Sequence, residues 1–270
     1  MPVQRIVGTD DPRVAEYRDV PDAELMRSRG LFVAEGRLVV RRVLEDGRFR
    51  VRSVLVNDAA RRDLESVFGT IPPATPIFLC QTADFLGITG HDMHRGCLAL
   101  VERPPATSLA VVLASAKTIV VLEGVTDPDN VGSVFRNAAA LGAEGVLLSP
   151  TCCDPFYRKA IRTSMGAVLR VPIARAAEWP AALMAVRAAG FTLVALTPRQ
   201  PSETLERYAA GLRSSRFALI VGTEGAGLTP AVESAADVRV SIPMPGDIDS
   251  LNLAVAVGIA LFALRAHENG

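Results

Sequence analysis

Histidine is scarce in this chain, and the three that occur, His91, His94 and His267, stand apart from every loop that looks equipped for chemistry. That placement excludes a serine–histidine–aspartate nucleophile set. Four cysteines are present, Cys80, Cys97, Cys152 and Cys153. None of them has CxxC spacing, and the adjacent pair is poor geometry for an ordinary disulfide. With His91 and His94 read as loop residues, no metal site is expected. Reduced, intracellular thiols are the default. Lysine is nearly missing: Lys117 and Lys159 apart, the cations are arginine. Arginine suits bidentate phosphate contacts, although a GC-rich genome gives the same bias. The 29 basic side chains match 29 acidic ones, so no global field announces a polyanionic partner, while a local basic face stays open. Long apolar runs are also lacking. The longest, LNLAVAVGIALFAL at 251–264, is short of a membrane span and contains Asn252, so it reads as a buried or interface helix. A charged start, MPVQRIVGTDDPRVAEYRD, carries no signal-peptide pattern. The expectation is a cytoplasmic protein without a membrane partner.

What is present is core material, 49% hydrophobic residues over 270 positions, enough for two domains. RPPATS (103–108) is the best linker. It places one domain at 1–105 and a second at 106–270. The first reads as a small α/β unit. Helical content is expected near Pro21–Ser28, a strand at LFVAEG, and a helix at RLVVRRVLEDG with Leu38, Val39 and Val43 on one side. The strand VRSVLVN, the helix DAARRDLESVFG and the strand GCLALVE follow. Arg41, Arg42, Arg48, Arg50 and Arg52 cluster there, either as solvated charges answered by acids or as an RNA-contacting patch. The second domain runs as βα units. Its strands TIVVLEG, GVLLS, VLRVPI, FTLVALT, FALIVG and VRVSIPM are continuous Val/Ile/Leu runs, the mark of a parallel sheet covered on both faces. Helices are expected at 130–141, 155–165, 178–189, 230–236 and 251–265. Ligands of such sheets bind at the carboxyl ends of strands.

Three loops at those ends are specialised. In VVLEGVTDPDNVGSVFRNAAALGA (120–142), Asn130 opens a helix whose free N–H groups make an anion-receptive entrance. Glu123 precedes it, and Arg136 leans back over Gly132. In VGTEGAGLTP (221–230), Gly222, Gly225 and Gly227 allow close backbone approach, and Glu224 is an acceptor among them. In SIPMPGDIDSLN (241–252), Pro243 and Pro245 stiffen the chain. Gly246 there permits an unusual backbone angle, and Asp249 or Ser250 caps the last helix. The glycine order G-x-x-G-x-G is not a dinucleotide fingerprint, and no P-loop pattern occurs.

Together and in this order, DNVGSVFRNAAALGA, LIVGTEGAGLTP and SIPMPGDIDSLNLAVAVGIALF resemble the three motifs of the SpoU/TrmH family of RNA ribose 2′-O-methyltransferases, in the SPOUT class. The resemblance covers about 110–265. More weakly, the first half resembles that family's ribosomal-protein-like RNA substrate-binding domain. The resemblance implies an α/β fold with a trefoil-knotted, mostly parallel sheet, and dimerisation through the final helix. It also implies S-adenosylmethionine held by Thr197, Gly222, Ile242 and Leu251. Arg136 becomes the catalytic residue, held with Asn130, Glu224, Ser250 and Asn252. Arg158, Lys159 and Arg162, on a basic helix after the second strand of that domain, are expected to hold RNA phosphates. By analogy with that family, ribosomal RNA fits the two-domain layout slightly better than transfer RNA. Two other readings stay open: a non-catalytic RNA-binding protein that retains the fold, and a nucleotide-dependent small-molecule enzyme.

Overall fold

Strands form where the apolar runs end in turn residues, and helices fill the intervals. The structure is a computed structural model that describes residues 3–18, 21–89, 96–211, 216–246 and 250–265. Its contacts divide the chain into two compact units, 1–105 with 156–169, and 106–155 with 170–270.

Among the described residues, the first unit is built on five strands: β1 (Val3–Arg5), β2 (Leu31–Glu35), β3 (Val51–Val56), β4 (Ile77–Leu79) and β5 (Cys97–Glu102), in the order β1-β4-β3-β5-β2. β5 runs antiparallel to both neighbours, whereas β1, β3 and β4 are parallel. Tyr17, Leu25, Phe85, Ile88, Leu98 and Leu100 share one core. The helix Arg37–Glu45 buries Val39, Val40, Val43 and Leu44. Leu38, expected on that face, is exposed instead. The arginines around it are answered locally: Arg37 pairs with Asp63, Arg41 with Glu45, Arg48 with Asp46, and Arg50 and Arg52 share Glu102.

One expectation is corrected here. Residues 156–169 fall in the sequence-assigned second domain, yet they pack within the first unit. Phe156 lies 5.0 Å from the ring of Phe32, with the Arg103 guanidinium 5.4 Å from its centroid. The helix Arg158–Thr163 buries Ala160 and Ile161. The second domain is therefore not the continuous stretch 106–270. A helical period looks the same whichever core receives it.

Among the described residues, the second unit carries seven strands: β6 (Thr118–Glu123), β7 (Gly145–Leu148), β8 (Ile173–Arg175), β9 (Thr192–Leu196), β10 (Glu203–Thr204), β11 (Phe217–Gly222) and β12 (Val238–Ser241). Their order is β10-β12-β9-β11-β6-β7-β8, and every pairing is parallel. β6 and the first five residues of β11 are buried throughout, as a doubly covered sheet requires. Helices Leu109–Ser115 and Ala182–Ala188 cover one face, with Val112, Leu113, Leu183 and Val186 in its core. The helix Leu205–Gly211 and the short strand β10 have no counterpart in the sequence reading. The strand expected at VLRVPI does not form: Val168 and Leu169 end a 3-10 turn, Ala167–Leu169, residues 170–172 are irregular, and β8 begins only at Ile173. Among the described residues, no helix is long and apolar enough to cross a membrane.

Candidate active site

The loop after β6 leads into the helix Pro128–Ala140, which starts two residues before Asn130. Asp127 is its cap and accepts from the backbone N–H groups of Asp129 (2.6 Å) and Asn130 (3.3 Å). Pro128, with no N–H to leave unpaired, occupies the first helical position. The anion-receptive entrance read from sequence is thus filled by the chain's own carboxylate. Val131, Val134, Phe135 and Ala138 turn into the core, which leaves Arg136 on the exposed face. Behind the loop, Glu123 is only 5% exposed. It accepts from Trp179 Nε1, Thr229 N and Thr229 Oγ1, each at 2.8 Å. Glu123 therefore ties the end of β6 to the start of the helix Pro230–Ala235, a structural role.

The glycine loop after β11 folds back on itself. Gly227 N donates to Thr223 O at 2.9 Å, and Gly225 and Gly227 take positive φ of 81° and 68°. A Cβ at Gly222 would meet the Gly227 carbonyl carbon at 2.2 Å, so that close approach is to the loop's own backbone. Gly246 shows no positive φ, contrary to expectation.

The third loop ends at Asn252, and this residue joins the other two. Asn252 Oδ1 accepts from Ala254 N (3.0 Å) and Val255 N (3.3 Å), so it caps the helix Leu253–Arg265 in place of Ser250. Asp249, the other candidate, lies outside the described residues. Asn252 Nδ2 donates to Asn130 Oδ1 at 3.2 Å and to Glu224 Oε1 at 3.0 Å. Leu253 N also donates to Glu224 Oε1, at 3.3 Å. Asn130, Glu224 and Asn252, drawn from three separate loops, form one hydrogen-bonded cluster.

Beside it lies a cavity of about 410 Å³, lined by Thr197, Gly222, Glu224, Ile242, Ser250 and Leu251 among others. All four residues expected to hold a cofactor are in that lining, and Glu224 belongs to both cavity and cluster. Its volume and its mix of apolar side chains with backbone polar groups suit a nucleoside-sized ligand. Thr197 is buried, with its N–H on Val240 O (2.9 Å) and its hydroxyl on Glu233 Oε1 (2.8 Å). Arg199, two residues on, escaped the sequence reading. It donates to Ala226 O at 2.7 Å and Leu228 O at 2.8 Å. The only signal was an arginine just past a strand end.

The basic helix behaves differently from its expectation. Arg158 is paired with Asp22 at 2.9 Å and donates to Tyr17 O at 3.2 Å, with its side chain 17% exposed. It is an internal strut of the first unit and is not available to grip a phosphate. Arg162 is half exposed and lies 3.4 Å from Glu35, and Lys159 is exposed. The thiols contribute no nucleophile: all four are buried, and burial pushes Cys153 up to about 12. Among the described residues, no group of His, Cys, Asp and Glu is placed to hold a metal. The three histidines lie outside those residues.

The profile of the SpoU rRNA Methylase family matches residues 117–262, a stretch that contains all three loops. The chain belongs to this family. A Mycobacterium tuberculosis protein named as an uncharacterized tRNA/rRNA methyltransferase is 40% identical over 264 residues, 96% of this chain and 91% of that one. The 23S rRNA (guanosine(2553)-2′-O)-methyltransferase RlmP of Bacillus subtilis is 26% identical over 97% of this chain and all of its own length. Among solved structures, an AdoMet-bound rRNA methyltransferase from Sinorhizobium meliloti matches with a TM-score of 0.85 at 29% identity, over 98% of both chains. As a SpoU methylase the chain is an RNA methyltransferase, with S-adenosylmethionine as its cofactor.

Proposed function

We propose that this SpoU methylase transfers its methyl group to a ribose 2′-hydroxyl, with ribosomal RNA the favoured target and transfer RNA the alternative. The observation that carries the reading is the Asn252 amide bridging Asn130 and Glu224 at the cofactor-sized cavity. The 2′-O and 23S rRNA specificities in the name of the Bacillus subtilis relative support it.

In this reading Thr197, Gly222, Ile242 and Leu251 hold the cofactor, chiefly through backbone groups and apolar contact. Bound there, S-adenosylmethionine supplies an electrophilic methyl on a sulfonium leaving group. The protein's work is then to orient the hydroxyl and to ease loss of its proton. A guanidinium stays protonated in proteins. Arg136 therefore acts by gripping the adjacent phosphate and stabilising developing alkoxide charge, with the proton passing to phosphate or water. Asn130, Glu224 and Asn252 spend their hydrogen bonds on one another and on the last helix, which makes them positioning residues. Ser250, at the cavity wall, orients the incoming ribose. Lys159 and Arg162 are the phosphate contacts that remain of the basic helix. The trefoil knot belongs to the same reading. It is supported by β12 lying between β9 and β10 and by the last helix packing on β11, Pro128–Ala140 and Leu205–Gly211. Dimerisation through the last helix is supported by its exposed Val255, Ile259 and Phe262. The reading also places the enzyme in the cytoplasm with its RNA.

The test gives labelled S-adenosylmethionine to unmodified rRNA and tRNA pools and maps the acceptor. A ribose methyl protects the following phosphodiester from alkaline cleavage. Label in an alkali-resistant dinucleotide is the expected outcome, and label on a base in alkali-labile mononucleotides overturns the ribose reading. Arg136→Ala should lose at least about a hundredfold in transfer while it still binds cofactor.

A further inference from the structure

We propose that Arg199 is a positioning residue for the cofactor, a bidentate clasp that holds the glycine loop against the end of β9 and so sets the width of the cavity. The inference rests on the reading that this cavity is the S-adenosylmethionine site.

The cavity takes its walls from chain segments that no β-ladder joins at this level. Thr197 and Pro198 come from the segment after β9, and Gly225 and Gly227 from the loop after β11. The β9–β11 pairing ends at Ala195↔Ile220. Arg199 spans the gap beyond it: Nη2 donates to Ala226 O at 2.7 Å and Nη1 to Leu228 O at 2.8 Å. Its own position is fixed from behind. Arg199 N donates to Thr197 Oγ1 at 3.2 Å, Thr197 Oγ1 donates to Glu233 Oε1 at 2.8 Å, and that carboxylate oxygen lies 3.5 Å from Arg199 Nη1. Glu233 is 10% exposed at the side chain, so it is a firm anchor. The planar fork can hold two carbonyls at once, which an ammonium cannot.

The loop is tied to itself by Gly227 N on Thr223 O and to the last helix through Glu224, and the clasp adds the tie to the segment after β9. Gly222, Gly225 and Gly227 give it wide backbone freedom, and every conformation it samples without the clasp must be given up when ligand binds. The clasp removes that loss beforehand. It acts on cofactor affinity through the Ala226 and Leu228 carbonyls, not through the side chains of the Asn130–Glu224–Asn252 cluster.

Isothermal titration of the full chain with S-adenosylmethionine tests this, alongside RNA affinity and the melting temperature of ligand-free protein. Arg199→Ala should raise the cofactor Kd about tenfold, as expected for lost charged hydrogen bonds. RNA affinity, and transfer rate at saturating cofactor, should stay within about twofold of wild type. Arg199→Lys should fall between the two. Arg207→Ala, which removes an exposed arginine paired with Glu203, should leave Kd unchanged. Ala256→Leu fills the cavity from its lining and should abolish cofactor binding. If Ala256→Leu binds normally, the cavity reading fails and this inference with it. If Ala256→Leu fails to bind but Arg199→Ala binds like wild type, only the inference is overturned. A fall in melting temperature of more than about 5 °C in Arg199→Ala, over a kilocalorie for a chain this size, also overturns it. The arginine would then hold the fold and not the site.

Discussion

Arg158 and Arg199 show how burial decides what an arginine does. Both donate to backbone carbonyls, but Arg158 does so inside the first unit with Asp22 as counter-charge. Burial holds the Asp22 carboxyl above its ordinary value, ahead of the opposing pull of Arg158. The folded state therefore binds this proton more tightly than the unfolded one. The contribution of Asp22 to stability falls as pH rises from its ordinary value through the raised one, and is flat above. Asp22 also serves as a backbone acceptor: Arg158 N donates to its Oδ2 at 2.7 Å. Asp22→Asn keeps an acceptor and should be at least as stable as wild type at neutral pH. Asp22→Leu strips it and should cost about 1–3 kcal/mol. Urea denaturation at pH 4 and pH 7 checks both. A loss above about 2 kcal/mol in Asp22→Asn at pH 7, at the scale of a broken buried pair, would show the charge to be the dominant element.

At the scale of elements, the last helix carries two faces. Leu253, Val257, Leu261 and Leu264 are buried, and Asn137 Nδ2 donates to Ala254 O at 2.6 Å. Val255, Ile259 and Phe262 recur at the spacing of a single opposite stripe, and Phe262 is 67% exposed. In a dimer that stripe is covered, so Phe262→Glu should shift the molar mass from twice the chain to once, read by light scattering on a sizing column. An unchanged mass would move the interface elsewhere. Strands and the three loops were readable in sequence because apolar runs, glycines and prolines act locally. TIVVLE needs no partner to announce a buried strand. Caps were misread by two or three positions, at Asp127 for Asn130 and Asn252 for Ser250, because several adjacent polar residues can each cap and only packing chooses. Arg199 left no signal beyond its place just past a strand end, and the Glu123–Trp179–Thr229 tie left none, since each depends on groups distant in sequence that the sheet brings close.

For the whole molecule, the segment 156–169 is the consequential feature. A fragment ending at Pro105 lacks Phe156, Ala160 and Ile161, which are buried in the full chain. We expect such a fragment to show weak amide-exchange protection around β2 and the helix Asp22–Arg29. Adding the peptide 156–169 in trans should restore that protection. A fragment already protected as in the intact chain would show the segment to be dispensable. Vectorial synthesis then has an order that the linker at 103–108 conceals. As the nascent chain leaves the ribosome, the amino-terminal sheet stays without one of its covering helices until β6 and β7 have also emerged. The two units therefore cannot be made, exchanged or inherited as independent cassettes by a single cut. Recombination at the proline-rich linker would orphan fourteen residues, 156–169, that belong to the other partner.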